Sequence, residues 1–206
     1  MLELNGKALV LGDVHGDWRR LKKFITDQAP DLVIQVGDFG YWHPFYLELD
    51  VPLYFIDGNH EHHPTLPKEI SEVGKNVFYM PRGTVAKVNN RNCLFMGGAA
   101  SIDFIYRTEG VDWFKEEIIS EADLYNLPDM RIHTVFSHTA PSEFNMREGI
   151  KFYDPSRDRL SYILKKYEPS LWYSGHYHYY LSGHHRETFW QALSDISHGK
   201  FWAEYH

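Results

Sequence analysis

The sequence predicts a layered α/β sandwich, and two observations carry that prediction. Short apolar runs repeatedly end in polar clusters, several of them containing glycine, while helical periodicity lies between such runs. In the middle of the chain the pattern changes to that of a β-hairpin, so strands dominate both halves with helices between them.

Lys7–Leu11 (KALVL) reads as the first strand and ends at Gly12-Asp13. Asp17–Gln28 reads as a helix, because Trp18, Leu21, Phe24, Ile25 and Gln28 share one face with Arg19, Arg20, Lys22 and Lys23 beside it. Ala29-Pro30 stops it, since a residue before proline is driven out of the helical region. Leu32–Val36 (LVIQV) is the next strand, ending at Gly37-Asp38, and Leu53–Ile56 (LYFI) ends at Asp57-Gly58-Asn59-His60. Passages of this kind, with a helix after the first, imply parallel pairing. Gly83–Val88 and Asn92–Met96 flank Asn89-Asn90-Arg91 as a hairpin, and Gly97–Ser101 is a small-residue turn. Glu116–Leu127 is expected to be helical and to stop at Pro128. Ile132–Phe136 is a strand ending at Ser137-His138. Ser156–Tyr167 is a helix, with Leu160, Ile163, Leu164 and Tyr167 on one face. Ser170–Tyr173 is a strand ending at Ser174-Gly175-His176, and Tyr179–Trp190 alternates weakly, as an antiparallel hairpin does.

The 206 residues fit one domain over positions 1–206, long enough to bury a core without covalent staples. A hydrophobic fraction of 43% with 16% aromatics excludes a disordered chain. Cys93 is the one cysteine, so neither an internal disulfide nor a thiolate zinc cluster can form, as expected of a reducing compartment. The first residues lack the pattern of a signal peptide, and no long apolar run suits a membrane span, so a cytoplasmic protein is expected. A net charge of −7 argues against broad binding to duplex nucleic acid. Histidine stands out instead, with 13 residues that can bind metals or carry protons near neutral pH.

Five of the expected strands run into metal-capable groups: Asp13-Val14-His15, Asp38, Asn59-His60, His138 and His176-Tyr177-His178. Ligands of open α/β sheets bind beyond the carboxyl ends of the strands, so distant segments can deliver these groups to one edge. Read as extended, Asp13 with His15 and His176 with His178 each place two side chains on one side. Gly12, Gly37, Gly58 and Gly175 precede these groups and allow tight turns or close backbone approach. Asp13, His15, Asp38, Asn59, His138, His176 and His178 exceed the roughly three or four protein ligands of one catalytic ion. They suit two divalent ions sharing a carboxylate, and mixed imidazole and carboxylate donors suit Mn, Fe, Zn or Ni. Taken singly, each has a plainer role. Asp38 and Asn59 serve as turn residues, His138 as a hydrogen-bonded imidazole near the core, and His176 and His178 as the polar face of an exposed strand.

The ordered set GDVHG (Gly12–Gly16), GD (Gly37-Asp38), GNHE (Gly58–Glu61), SH (Ser137-His138) and GHYH (Gly175–His178) resembles the calcineurin-like metallophosphoesterase superfamily. GGAASID (Gly97–Asp103), Arg107 and Trp113–Glu117 look like small, stand-alone microbial or phage members. The resemblance implies an αββα sandwich of two mixed β-sheets flanked by helices, with a dinuclear site at the strand C-terminal ends. It assigns one metal to Asp13, His15, Asp38 and His178, the second to Asp38, Asn59, His138 and His176, and the bridge to Asp38. Two divalent ions per chain are implied, with Mn expected and Fe, Zn or Ni as alternatives. Asn59 and His60 would contact the phosphate, and His60 would protonate the leaving oxygen after attack by metal-bound hydroxide. His60 would then need to be protonated near working pH. The implied activity is a phosphodiesterase acting on a nucleotide-like or other small phosphodiester, or on short single-stranded nucleic acid. The alternatives are a phosphomonoesterase and a non-catalytic protein-binding scaffold. Retention of all seven ligands and His60 argues against the scaffold.

One departure narrows the resemblance. The run Gly37–Trp42 lacks the arginine that follows the second aspartate in phosphoprotein phosphatases, which argues against that activity. Tyr41, Trp42 and His43 put aromatic groups near the site or into the core. Arg82 and Arg107 read as surface salt-bridge residues, with bidentate phosphate binding as the alternative. His62-His63 and His184-His185 read as loop histidines, and Phe78, Met80, Cys93, Phe95 and Met96 as core.

Overall fold

The computed structural model describes residues 1–125, 127–146 and 153–206. Its strands are β1 (Leu2–Leu4), β2 (Ala8–Leu11), β3 (Leu32–Gln35), β4 (Glu48–Phe55), β5 (Ser71–Tyr79), β6 (Thr84–Val88) and β7 (Arg91–Met96), followed by β8 (Thr134–Ser137), β9 (Leu171–Ser174), β10 (Leu181–His185), β11 (Thr188–Ala192) and β12 (Trp202–Tyr205). The α-helices are α1 (Trp18–Gln28), α2 (Ala122–Tyr125) and α3 (Pro155–Tyr167).

The strands form two mixed sheets. The five-stranded sheet has the order β12-β2-β3-β4-β5. In it β2 to β5 run parallel, and β12 pairs antiparallel with β2. The seven-stranded sheet has the order β1-β6-β7-β8-β9-β11-β10. Its centre, β7-β8-β9-β11, is parallel, and the hairpins β6–β7 and β10–β11 are antiparallel.

Alternation along the central strands explains why the sheets stack. Ala8 and Val10 of β2 and Ile34 of β3 join Cys93, Phe95, Phe136 and Tyr173 of the other sheet in one core between the layers. The alternate residues point outward. Leu9, Leu11 and Val33 pack with Leu21, Phe24 and Ile25 of α1, while Leu94, Val135 and Trp172 pack with Leu160, Ile163 and Leu164 of α3. Each central strand is therefore buried on both faces, as parallel sheets require. An 11-residue helix is marginal in water alone. Burying Leu21, Phe24 and Ile25 at roughly 1.5–3 kcal/mol each is what holds α1 in place. Asp17 caps it by accepting from the Arg20 N–H at 3.0 Å, and Ala29 ends it at φ 44.

The helix expected over Glu116–Leu127 does not form as one piece, and residue 126 lies outside the described residues. A single 3-10 turn covers Lys115–Glu117, and α2 starts afresh at Ala122. Two side chains explain the break. Glu117 turns inward, where it accepts from Ser101 and Trp113. Ser120 and Asp123 then form a capping box, the Ser120 N–H donating to Asp123 and the Asp123 N–H to the Ser120 hydroxyl. The expected strand and hairpin segments are otherwise found with shifted ends, while β1, β5 and β12 were not foreseen. His184 and His185 lie in β10 rather than in a loop. Among the described residues, no helix is long and apolar enough to cross a membrane.

Candidate metal centre

The site lies at one end of the sandwich and draws on both sheets. β2, β3 and β4 of the five-stranded sheet lead to Asp13 and His15, to Asp38, and to Asn59 and His60. β8 and β9 of the seven-stranded sheet lead to His138 and to His176 and His178.

The seven donors meet there as two groups. Asp13, His15, Asp38 and His178 each offer an atom within 4.8 Å of the others. His178 Nε2 lies 3.1 Å from Asp13 Oδ2 and 3.0 Å from His15 Nε2. Asp38, His138 and His176 form the second group. His138 Nε2 lies 3.3 Å from Asp38 Oδ1 and 3.2 Å from the Asn59 side-chain oxygen. Asp38 belongs to both, with Oδ2 3.8 Å from His15 Nε2 and Oδ1 turned to His138.

The backbone reaches this arrangement by bends, not by the extended segments inferred from the i, i+2 spacing. His15, Asp38, His176 and His178 have φ of 48°, 54°, 71° and 54°. This left-handed region is uncommon outside glycine and clusters at functional sites. Asp13 and His15 do converge, but the same bending sends His176 and His178 to different groups. Two glycines work by close approach. A Cβ on Gly58 would fall 2.2 Å from Asp38 Oδ1, and one on Gly175 would fall 2.2 Å from Asp13 Oδ1.

Among the described residues, the ion-pair partners of Asp13 and Asp38 are all imidazoles. Burial would raise the Asp38 carboxyl, but the adjacent His138, with His60 and His15, holds it well below the usual range. Burial works against charge on His138 too, yet Asp38 and Asp13 pull its pKa up. A hydrogen bond to Asp13 raises His178, while burial and the neighbouring His138 push His176 down to about 3. The His138 Nδ1–H donates to the Val36 carbonyl at 2.9 Å, which turns Nε2 toward Asp38 and Asn59. Two buried carboxylates facing imidazole nitrogens and an amide oxygen fit divalent cations of mixed nitrogen and oxygen preference.

Three supporting residues were not assigned from the sequence. Glu61 is buried and accepts from the Asp38, Gly40 and Gly58 backbone N–H groups, tying two site loops together. Burial and the Asp38 charge push its carboxyl up to about 8. Asn59 Nδ2 donates to the Ser101 hydroxyl at 3.2 Å, and that hydroxyl donates to Glu117 at 2.8 Å, so the amide oxygen is left to the site. Glu61 is adjacent to His60 in the GNHE run, and that position was its signal. Ser101 was read as part of a small-residue turn and Glu117 as part of a helix, so nothing in the sequence marked their contact.

His60 sits beside the first group, its ring 5.1 Å from that of His15, and its N–H donates to Asp38 Oδ1 at 2.9 Å. Arg107 Nη2 lies 3.1 Å from His60 Nε2. Burial lowers the His60 pKa, and Arg107 pushes the same way against the pull of Asp38. Tyr41 is core, whereas Trp42 is 44% exposed, stacks on His62 and donates from its indole to the His60 carbonyl. Arg82 is not a surface residue. It bonds Asp57 through Nε and Nη2 and also the carbonyls of Glu116, Glu117 and Ile118. His63 is buried against the Gly58 carbonyl.

The family model for calcineurin-like phosphoesterases matches residues 6–180. None of the curated proteins matches the chain. Among solved structures, the chain is similar to TT1561 of Thermus thermophilus, with 14% identity, a TM-score of 0.49, and coverage of 93% of this chain and 90% of that one. It is also similar to GAP50, the anchor in the inner membrane complex of Plasmodium, with 13% identity, a TM-score of 0.46, and coverage of 97% and 75%.

Proposed function

The chain belongs to the calcineurin-like phosphoesterase family, and from that premise we propose that it is a metal-dependent phosphodiesterase acting on small, nucleotide-like phosphodiesters. The observation that carries this reading is the convergence of seven donors from two sheets around one shared carboxylate, Asp38. Asp13, His15, Asp38 and His178 would hold one divalent cation, and Asp38, Asn59, His138 and His176 the second. Such a pair, when bound, supplies Lewis acidity toward phosphoryl oxygens and acidifies water near neutral pH.

The protein's own residues do the rest. The buried His138 and Asp13 side chains are fixed by backbone bonds and cost little reorganisation during reaction. Glu61 keeps the Asp38 and Asn59 loops at a constant spacing. His60, anchored to Asp38 through its N–H, would give its ring proton to the departing oxygen, a step worth typically about 10²–10⁴-fold. An anionic phosphoryl group beside the ring favours its protonated form, which offsets the lowering by burial.

The test is turnover after reconstitution with Mn²⁺. Bis-p-nitrophenyl phosphate should be hydrolysed well and p-nitrophenyl phosphate poorly. The reverse preference would overturn the diesterase assignment, and metal binding without turnover of either would return the chain to the scaffold reading. His60→Asn should keep both metals yet slow alkyl esters more than p-nitrophenyl esters. Equal losses on the two would count against the acid role.

A further inference from the structure

Arg107 has no part in the metal centre, yet its guanidinium points at the centre's edge. Nη2 lies 2.8 Å from Asp103 Oδ1 and 3.1 Å from His60 Nε2, and Nη1 lies 3.4 Å from the Asp112 carbonyl. The side chain is only 10% exposed. A guanidinium keeps its charge at any physiological pH, and an imidazole ring is at best a weak acceptor for it. A phosphoryl oxygen is a stronger, charge-assisted one.

Arg107 closes the 3-10 turn Phe104–Tyr106, which follows Ser101, the residue bonded to Asn59. One anchored segment thus carries both a contact to the metal-site amide and the cation beside His60. Ser101, Phe104, Trp113, Glu117 and Ile118 of the same segment line a pocket of about 260 Å³, together with Ala100, Tyr153 and Pro155. Phe104 is 44% exposed, and its ring lies 6.1 Å from that of Trp113. Trp113 is held by its indole N–H on Glu117 at 3.0 Å.

We infer that residues 101–117 form the substrate-recognition arm. Arg107 takes the phosphoryl oxygens, and the shelf of Phe104 and Trp113 takes a flat aromatic group on the ester, a phenyl ring or a nucleobase. The inference rests on the hydrolase reading and adds the residues that would recognise its substrate.

Calorimetry on the metal-loaded protein with orthophosphate, methyl phosphate, phenyl phosphate and a nucleoside 5′-monophosphate tests it. Arg107→Met should weaken all four by about tenfold to a hundredfold and raise KM more than it lowers kcat. Arg107→Lys should recover part of the loss. Arg186→Met, on the exposed β10–β11 turn, should change nothing. Wild type should prefer phenyl phosphate or the nucleotide to methyl phosphate by about tenfold, and Phe104→Ala should erase that preference. The preferred aromatic ligand identifies the kind of group the shelf accepts. Unchanged orthophosphate affinity in Arg107→Met overturns the arginine's role, and equal affinity for methyl and aromatic phosphates in wild type overturns the shelf. A wild type that binds these ligands but hydrolyses no ester would refute the hydrolase reading instead.

Discussion

Asp38 divides its two oxygens between two sets of imidazoles while its own backbone stands at φ 54°. Asparagine tolerates that backbone, so Asp38→Asn tests the shared carboxylate without the strain another residue would add. Elemental analysis should find fewer than two metals per chain in the variant. Gly175→Ala drives a methyl against Asp13 Oδ1, and urea denaturation should register a loss of about 1–3 kcal/mol. At this scale the seven donors and His60 were legible, because each follows a strand in a short polar run, marked by glycine in every case but Ser137-His138. Which pairs share a group came from the family resemblance and not from residue spacing. That depends on left-handed bends at His15, His176 and His178, and residue spacing says nothing about them. The burial of Arg82 was equally hidden, because its partners Asp57 and Glu116–Ile118 lie far apart in sequence.

Between elements, the same Arg82 ties the loop after β4 to the 3-10 turn Lys115–Glu117 and to Asp123 of α2. Removing one partner of a buried ion pair costs about 3–5 kcal/mol, so Arg82→Met should lower the urea midpoint strongly. Arg20→Met, at an exposed pair with Asp17, should cost under about 1 kcal/mol. Glu117 adds a pH dependence. Burial pushes its carboxyl from 4.5 up to about 6. The folded state then holds a proton that the unfolded state has released, so this contribution is full at the acid end and vanishes as pH rises through about 6. Thermal melts of Glu117→Gln across that range should lack the corresponding fall in Tm. The helical reading of Glu116–Leu127 failed at these side chains. Periodicity could not show that Glu117 bonds to Ser101, or that Ser120 and Asp123 restart the chain as α2.

Across the whole molecule, the short apolar runs that made the strands visible also dictate the stacking, because their alternate residues are buried on opposite faces. β1, β5 and β12 escaped notice because they are short or mostly polar, with burial patterns that are only partly inward. Cys93 lies in the core between the sheets, where burial pushes its thiol up to about 11. A thiol reagent should leave it untouched in the native protein and label it fully in denaturant, so its labelling rate reports opening of the sandwich. The centre's donors come from both sheets, so a bound cation fastens one to the other. Free metal at a hundred times its Kd should add about 2.7 kcal/mol, and chelation should lower Tm by several degrees. The pairing of β12 with β2 bears on how the chain is made. Synthesis delivers residues 8–11 early and residues 202–205 almost 200 residues later. Until then the strand leading to Asp13 offers a bare edge to any neighbouring chain, and nascent protein is most at risk of sticking there.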